Sequence, residues 1–297
     1  MSAHAVGVTT PPASRSALAR SASRLRALPG SLVAGGALLA GFVLFGLLAP
    51  LVLGDPNKQD LNAAYARPGS PHHLLGADPL GRDVLAWVAG GVRVSLVVVV
   101  GVVALSALIG VVVGLVAGYA GGIVDATLMR IVDLQLAIPP ILLFIAASAV
   151  ISTTVLSLIL LISAVMWVPY ARLVRTQIQI ERERSSVIAA RLAGATRRRV
   201  LFAHLLPATS TLVLVLASLQ AGFVVLWEAG LSFLGLGVQP PTTSLGYLIA
   251  QGREALGVAW WIIVIPGAVL ALFVMSANLF GDGLRDYFGV DAELLEP

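Results

Sequence analysis

The sequence predicts an all-α integral membrane protein with six transmembrane helices. Two observations carry that fold class. Hydrophobic residues make up 58% of the 297 positions and charged residues only 11%, with a mean hydropathy of +0.94. A soluble globular chain carries about a quarter charged residues, and none of this length could hide so much apolar surface, so most of it must face lipid. The second observation is the spacing of the charges. They are gathered into blocks separated by uncharged stretches, several of them longer than the roughly 20 residues that cross a bilayer.

The uncharged stretch 27–54 holds the first helix, at about 31–53. Its apolar run is well beyond the roughly 7–15 residues of a signal-peptide core, so it reads as a retained span. The Pro/Ser/Ala-rich stretch 1–23 before it reads as disordered. After Gly81, the residues Val84, Leu85, Val88 and Val92 fall on one helical side and Trp87 suits the headgroup region, which predicts a short helix lying on the outer membrane face. The stretch 94–124 supplies the second span, at about 95–118. Stretch 134–171 is too long for one span, and Ser152-Thr153-Thr154 is its natural break, giving helices at about 131–151 and 155–176. Between 200 and 252 only Glu228 is charged, and 255–281 is uncharged, which places the last two spans at about 206–234 and 258–280. Pro139-Pro140, Pro169 and Pro266 lie in or beside spans and should kink them.

Orientation follows from the arginines, which gather on the cytoplasmic side of membrane proteins. The N-terminal tail has Arg15, Arg20, Arg24 and Arg26 and no acid. The segment between the fourth and fifth spans adds Arg172, Arg175, Arg182, Arg184, Arg191, Arg197, Arg198 and Arg199 against Glu181 and Glu183. Loop 54–93 is balanced between bases and aspartates. Both termini are therefore expected in the cytoplasm, with 1–30 as a cytoplasmic tail, 31–93 as the first span and an extracytoplasmic loop, and 94–297 as a five-helix core.

Several functions drop out. There is no cysteine, hence no disulfide, thiolate metal site or cysteine nucleophile. The one lysine, Lys58, is followed by Gln59 and sits in no P-loop, which needs Gly-Lys-Ser/Thr to reach the β/γ-phosphates. The sequence pI near 10 does not point to nucleic acid, because the basic residues sort by membrane side. No HExxH motif and no Ser/His pair at membrane depth supports an intramembrane hydrolase. No internal repeat is visible, which disfavours inverted-repeat secondary transporters. The paired His72-His73 cannot easily converge on one metal ion and reads as a solvated pair.

Three features remain as candidate sites. Gly110, Gly114, Gly118 and Gly122 recur every four residues, one step after Ser106, and so share a helix face that lets another backbone approach closely, within this subunit or in a partner. In the arginine-rich segment, Ser186 is a plausible N-cap, Val187–Ala193 makes two turns and Gly194 stops them. Ile188 and Leu192 share a face flanked by Ala189 and Ala193, and Thr196 can cap a second helix through Arg197–Arg199. A two-turn helix is unstable alone in water and needs something to dock against. Glu228 is the only acid inside a span, about 31 Å beyond Pro207 along a helix. Such residues are costly: a structural hydrogen bond, a pore or gate contact and proton coupling are the roles open to it.

The segment Val187-Ile188-Ala189-Ala190-Arg191-Leu192-Ala193-Gly194, followed by His204 and by Leu206-Pro207, resembles the EAA loop of ABC importer permeases. The motif's glutamate is replaced by Ile188. Four further segments resemble the C-type permease of the dipeptide/oligopeptide (nickel) importers: His73-Leu-Leu-Gly-Ala-Asp78-Pro-Leu-Gly81-Arg82-Asp83; Trp167, Tyr170, Arg172 and Arg175; Glu228-Ala-Gly-Leu-Ser-Phe-Leu-Gly-Leu-Gly237 through Pro241, with Leu245 where a tryptophan is usual; and Asn278 through Asp282, Arg285 and Asp286. Together they cover about residues 30–290. The resemblance implies a type I ABC importer permease fold in the inner (cytoplasmic) membrane and a non-catalytic role in moving peptides into the cell. It implies a coupling helix at about 186–194, with Ile188, Ala189, Ala190, Arg191, Gly194 and Pro207 docking on an ATPase. The partners implied are a second permease subunit, two ATPase subunits or one fused ATPase, and an extracytoplasmic solute-binding protein. ATP and Mg would be used by those ATPases, with no cofactor on this chain. The alternative is a self-contained secondary transporter or channel, which needs several ionisable residues at the membrane midplane where this chain offers Glu228.

Overall fold

The computed structural model describes residues 28–148 and 154–289; the tail 1–23 and the break at Ser152-Thr153 lie outside the described residues. The helices are α1 (Gly30–Leu53), α2 (Val84–Ala120), α3 (Gly122–Leu136), α4 (Pro140–Ser148), α5 (Val155–Glu181), α6 (Ser185–Leu192), α7 (Arg197–Val200), α8 (Leu206–Phe233), α9 (Leu245–Gly252) and α10 (Trp261–Phe288). A π turn, Leu201–Leu205, joins α7 to α8. Among the described residues the only extended pairings are two isolated bridges, Ser70–His73 and Ala77–Asp83.

Five runs are long and apolar enough to cross a membrane: α1, α2, α5, α7–α8 and α10. The expected third span is broken, because α3 and α4 qualify only as a pair and are bent by 78°. Pro139 and Pro140 explain the break. Neither has an N–H to donate, and each pushes the residue before it out of the helical region. Thr154 starts α5 with a capping box: its Oγ1 accepts from the Ser157 N–H while its own N–H donates to Ser157 Oγ.

The expected surface helix after Gly81 is corrected by the structure. It is the first part of α2, one helix of 37 residues and about 55 Å. Asp83 Oδ1 accepts from the Ala86 N–H and sets the start. Gly90 and Gly91 do not end the helix, and Gly91 lets it lie against the backbone at Leu245. Trp87 does not face headgroups; it is 1% exposed, packed with Leu245, Leu248 and Trp261.

α2 is the axis of the bundle and packs along most of its length on α5. The central core gathers Val98, Val102, Phe144, Leu158, Ile162, Val224 and Phe273. α1 leans on α10 where Gly35 meets the backbone at Phe280 and Gly283 meets Leu32, with no room for a Cβ at either glycine. Leu44, Leu47, Leu51 and Val52 of α1 stay exposed, as a lipid-facing surface requires.

Candidate functional site

The arginine-rich segment folds as a helical pair at one end of the bundle. α6 begins at Ser185, two residues earlier than expected; Arg184, not Ser186, occupies the N-cap position and makes no side-chain cap bond. One face of α6 is anchored by Val187, buried with Val174, Ile178, Val200 and Leu205. The other face is open: Leu192 is 85% and Ile188 46% exposed, with Ala189 also exposed and Ala190 half-buried. Arg191 reaches back over the Tyr119 ring of α2, 5.4 Å from its centroid. Gly194 stands at φ +84° with open space around it, so its left-handed backbone rather than crowding demands glycine. Thr196 caps α7, accepting from the Arg199 N–H. Pro207 sits in the first turn of α8, where its missing N–H does least harm, and the π turn immediately precedes it.

The glycine ladder faces α5 of the same chain. A Cβ at Gly110 would strike Tyr170 and the Trp167 carbonyl, one at Gly114 the Ala171 carbonyl and Val174, and one at Gly118 the Arg175 carbonyl and Ile178. Gly122 is not part of this seam: α2 ends at Ala120 with Gly121 as its C-cap, and Gly122 starts α3 at φ +54° with nothing near it. Beside the seam, polar bonds strap α3 to α5. Arg175 forms a two-point pair with Asp125, Arg172 pairs with Asp133 at 3.0 Å, and Trp167 Nε1 donates to Gln135 Oε1 at 3.0 Å. Arg182 adds a bond to the Gly118 carbonyl at 3.1 Å.

Glu228 is wholly buried. Ser95 Oγ of α2 donates to its Oε2 and Ser232 Oγ of α8 to its Oε1, each at 3.0 Å. Ser244 Oγ, at the N-cap of α9, lies 3.2 Å from Ser232 Oγ. The carboxylate therefore joins three helices through hydroxyls. Gly246 completes the joint, since a Cβ there would collide with the backbone of Ala229.

At this end of the bundle, loop 54–83 is built around a second buried acid. Asp78 accepts from the N–H groups of Leu80 and Arg82 and from Arg82 Nε at 2.6 Å. The turn needs Gly81, at φ +71°, because a Cβ would overlap the Asp60 carbonyl. Arg82 stacks 3.8 Å over Trp87 and donates to Gln251 of α9 at 3.0 Å, while Trp261 Nε1 donates to the Ala77 carbonyl. The histidine pair divides: His73 is half-buried with Nδ1 3.1 Å from Asp83 Oδ2, and His72 is exposed at φ +68°. Among the described residues no group of three His, Cys, Asp or Glu could hold a metal.

A multi-span bundle with a cantilevered amphipathic helix at one end and a tied loop at the other is the architecture of a membrane transport component. Residues 110–290 match the family of binding-protein-dependent transport system inner membrane components, and the chain belongs to it. It is 37% identical over 259 residues to the di/tripeptide transport system permease protein DppC of Pseudomonas aeruginosa, covering 85% of this chain and 86% of that one. To the oligopeptide transport system permease protein OppC of Mycobacterium tuberculosis it is 38% identical over 274 residues, covering 92% and 93%. The protein is thus a multi-pass permease component of a transport system that works with a binding protein.

Proposed function

We propose that this chain is one permease subunit of an ATP-driven importer of short peptides, and that α6 is its coupling helix. The observation that carries the reading is the division of α6 into an anchored face at Val187 and an open apolar face at Ile188 and Leu192. In this reading Ile188 and Leu192, adjacent on the open face of α6, supply the apolar contact for a partner. The peptide assignment is supported by the substrates in the names of DppC and OppC.

In this reading the arginine-rich end is cytoplasmic, both termini lie on that side, and a second permease pairs with this one. Two ATPase subunits, or one fused ATPase, dock at Ile188, Ala189, Ala190, Arg191 and the turn at Gly194, with Pro207 fixing where α8 enters the membrane. They bind ATP and Mg, and this chain binds no cofactor. A solute-binding protein delivers peptide at the loop 54–83 end. Glu228 is the gate candidate: α8 cannot part from α2 without breaking its bond to Ser95, nor from α9 without breaking the Ser232–Ser244 contact beside it. Uptake of labelled tripeptide by cells carrying the whole system, compared with cells expressing Leu192→Asp, tests the reading. Uptake should vanish in the variant while the permease remains in the membrane; full uptake by the variant refutes the docking role.

A further inference from the structure

A cavity of about 570 Å³ opens at the loop 54–83 end, between that loop, the end of α8 and α9. The size falls among small-molecule sites, which run from about 300 to 1,000 Å³. Its wall offers spare hydrogen-bond donors and a carboxylate. Arg82 lines it and is only 6% exposed. The guanidinium commits Nε to Asp78 and Nη2 to Gln251, and among the described residues Nη1 has no partner. With five N–H donors in all, Arg82 keeps donors for an acceptor entering the cavity. Glu254 lines the same cavity, is exposed, and among the described residues makes no ion pair. Gln251 is held in place by its bond to the Tyr247 hydroxyl at 2.7 Å, and the rings of Tyr247 and Tyr65 add apolar surface.

An apolar ligand would leave the spare donors of Arg82 without an acceptor, at a cost, and would make no use of the Glu254 carboxylate. A ligand with only an acceptor, or only a cation, would satisfy one of the two and leave the other unused. We propose that this cavity is a subsite for a short zwitterionic peptide, whose carboxylate meets the free donors of Arg82 and whose α-ammonium meets Glu254. The proposal rests on the peptide-importer reading above. It adds a place within this chain where peptide is held, separate from the binding protein. Ser232 belongs to the lining and also donates to Glu228, so an occupied subsite would press directly on the joint between α2, α8 and α9.

Saturation-transfer NMR on the assembled transporter in lipid nanodiscs, without its binding protein, tests this with trialanine as the probe. Transfer to trialanine is expected, and it should be about tenfold weaker for N-acetyl-trialanine and for trialanine amide, the loss that follows from one missing charged hydrogen bond. Glu254→Gln should abolish the preference for the free N-terminus and leave the preference for the free C-terminus. No transfer with trialanine up to about 10 mM, well above the millimolar range of weak sites, overturns the subsite. Equal transfer from all three peptides, or an unchanged N-terminal preference in Glu254→Gln, overturns it as well. Uptake of trialanine by cells carrying the whole system separates the two readings. Uptake without a selective subsite removes this proposal alone, whereas absence of uptake for any short peptide removes the peptide-importer reading beneath it.

Discussion

Ser95 and Glu228 are 133 residues apart in sequence and 3.0 Å apart in the bundle, Oγ to Oε2, both buried. Their bond fastens α2 to α8, and Ser232 with Ser244 extends it to α9. Glu228→Gln keeps the shape and most of the bonding while removing the charge, so uptake should remain substantial. Glu228→Leu leaves Ser95 and Ser232 without their acceptor and should cost about 1–3 kcal/mol of local stability, read as a lower melting temperature in detergent. Uptake by wild type and by the Gln variant should survive a proton ionophore while ATP is maintained. Loss of uptake under the ionophore, together with an inactive Gln variant, would replace ATP-driven import by proton-coupled transport.

Gly114→Leu should damage the bundle far more than Val112→Leu. The first substitution drives a side chain into the Ala171 carbonyl and Val174, whereas Val112 is 53% exposed on the outer surface of α2. Overpacking of a tight seam costs about 1–3 kcal/mol or more. Detergent melting curves compare the two, and equal curves would dismiss the seam as a determinant of stability.

At Gly194 the backbone is the constraint. Leucine at φ +84° costs about 1–2 kcal/mol, and asparagine tolerates that region better. Gly194→Leu should reduce both ATPase co-purification and uptake, and Gly194→Asn should preserve most of each. Normal ATPase recovery and uptake with Gly194→Leu would show that the turn between α6 and α7 does not set the docking geometry.

Asp78→Ala should be among the most damaging single changes outside the spans. It strips a buried guanidinium of its counter-ion and two N–H groups of their acceptor, a loss of about 3–5 kcal/mol for a broken buried pair. Membrane levels of the variant should fall sharply. Wild-type levels and melting temperature would mean that Arg82 finds another partner or solvent.

The spans were legible because uncharged stretches reveal membrane crossing whatever the tertiary packing, and Thr154, Thr196 and Gly194 mark local boundaries by their own chemistry. The continuity of α2 was hidden by Gly90-Gly91, which resemble a break until Pro56 comes to lie against the first and Leu245 against the second. Trp87 reads as an interfacial anchor only while its cover, Arg82 and α9, is unknown. The joint at Glu228 draws its partners from helices far apart in sequence, so no local pattern contains it. A signal for Asp78–Arg82 did exist. The two lie four residues apart with Gly81 between them, a tight turn that returns an arginine to an aspartate. Four-residue glycine spacing extended the ladder to Gly122, though the helix had ended at Ala120.

α2 has no proline anywhere between Val84 and Ala120, and its two ends touch opposite extremities of the molecule. Its first turn carries Trp87 beneath Arg82; its last carries Tyr119 beneath Arg191 of α6. Such an element ties its two ends to one rigid body. One hydrogen-bonded helix spans the roughly 48 Å from Tyr119 to Trp87. Any rigid-body shift of this helix would therefore move Tyr119 under Arg191 and Trp87 under Arg82, at the wall of the cavity, together.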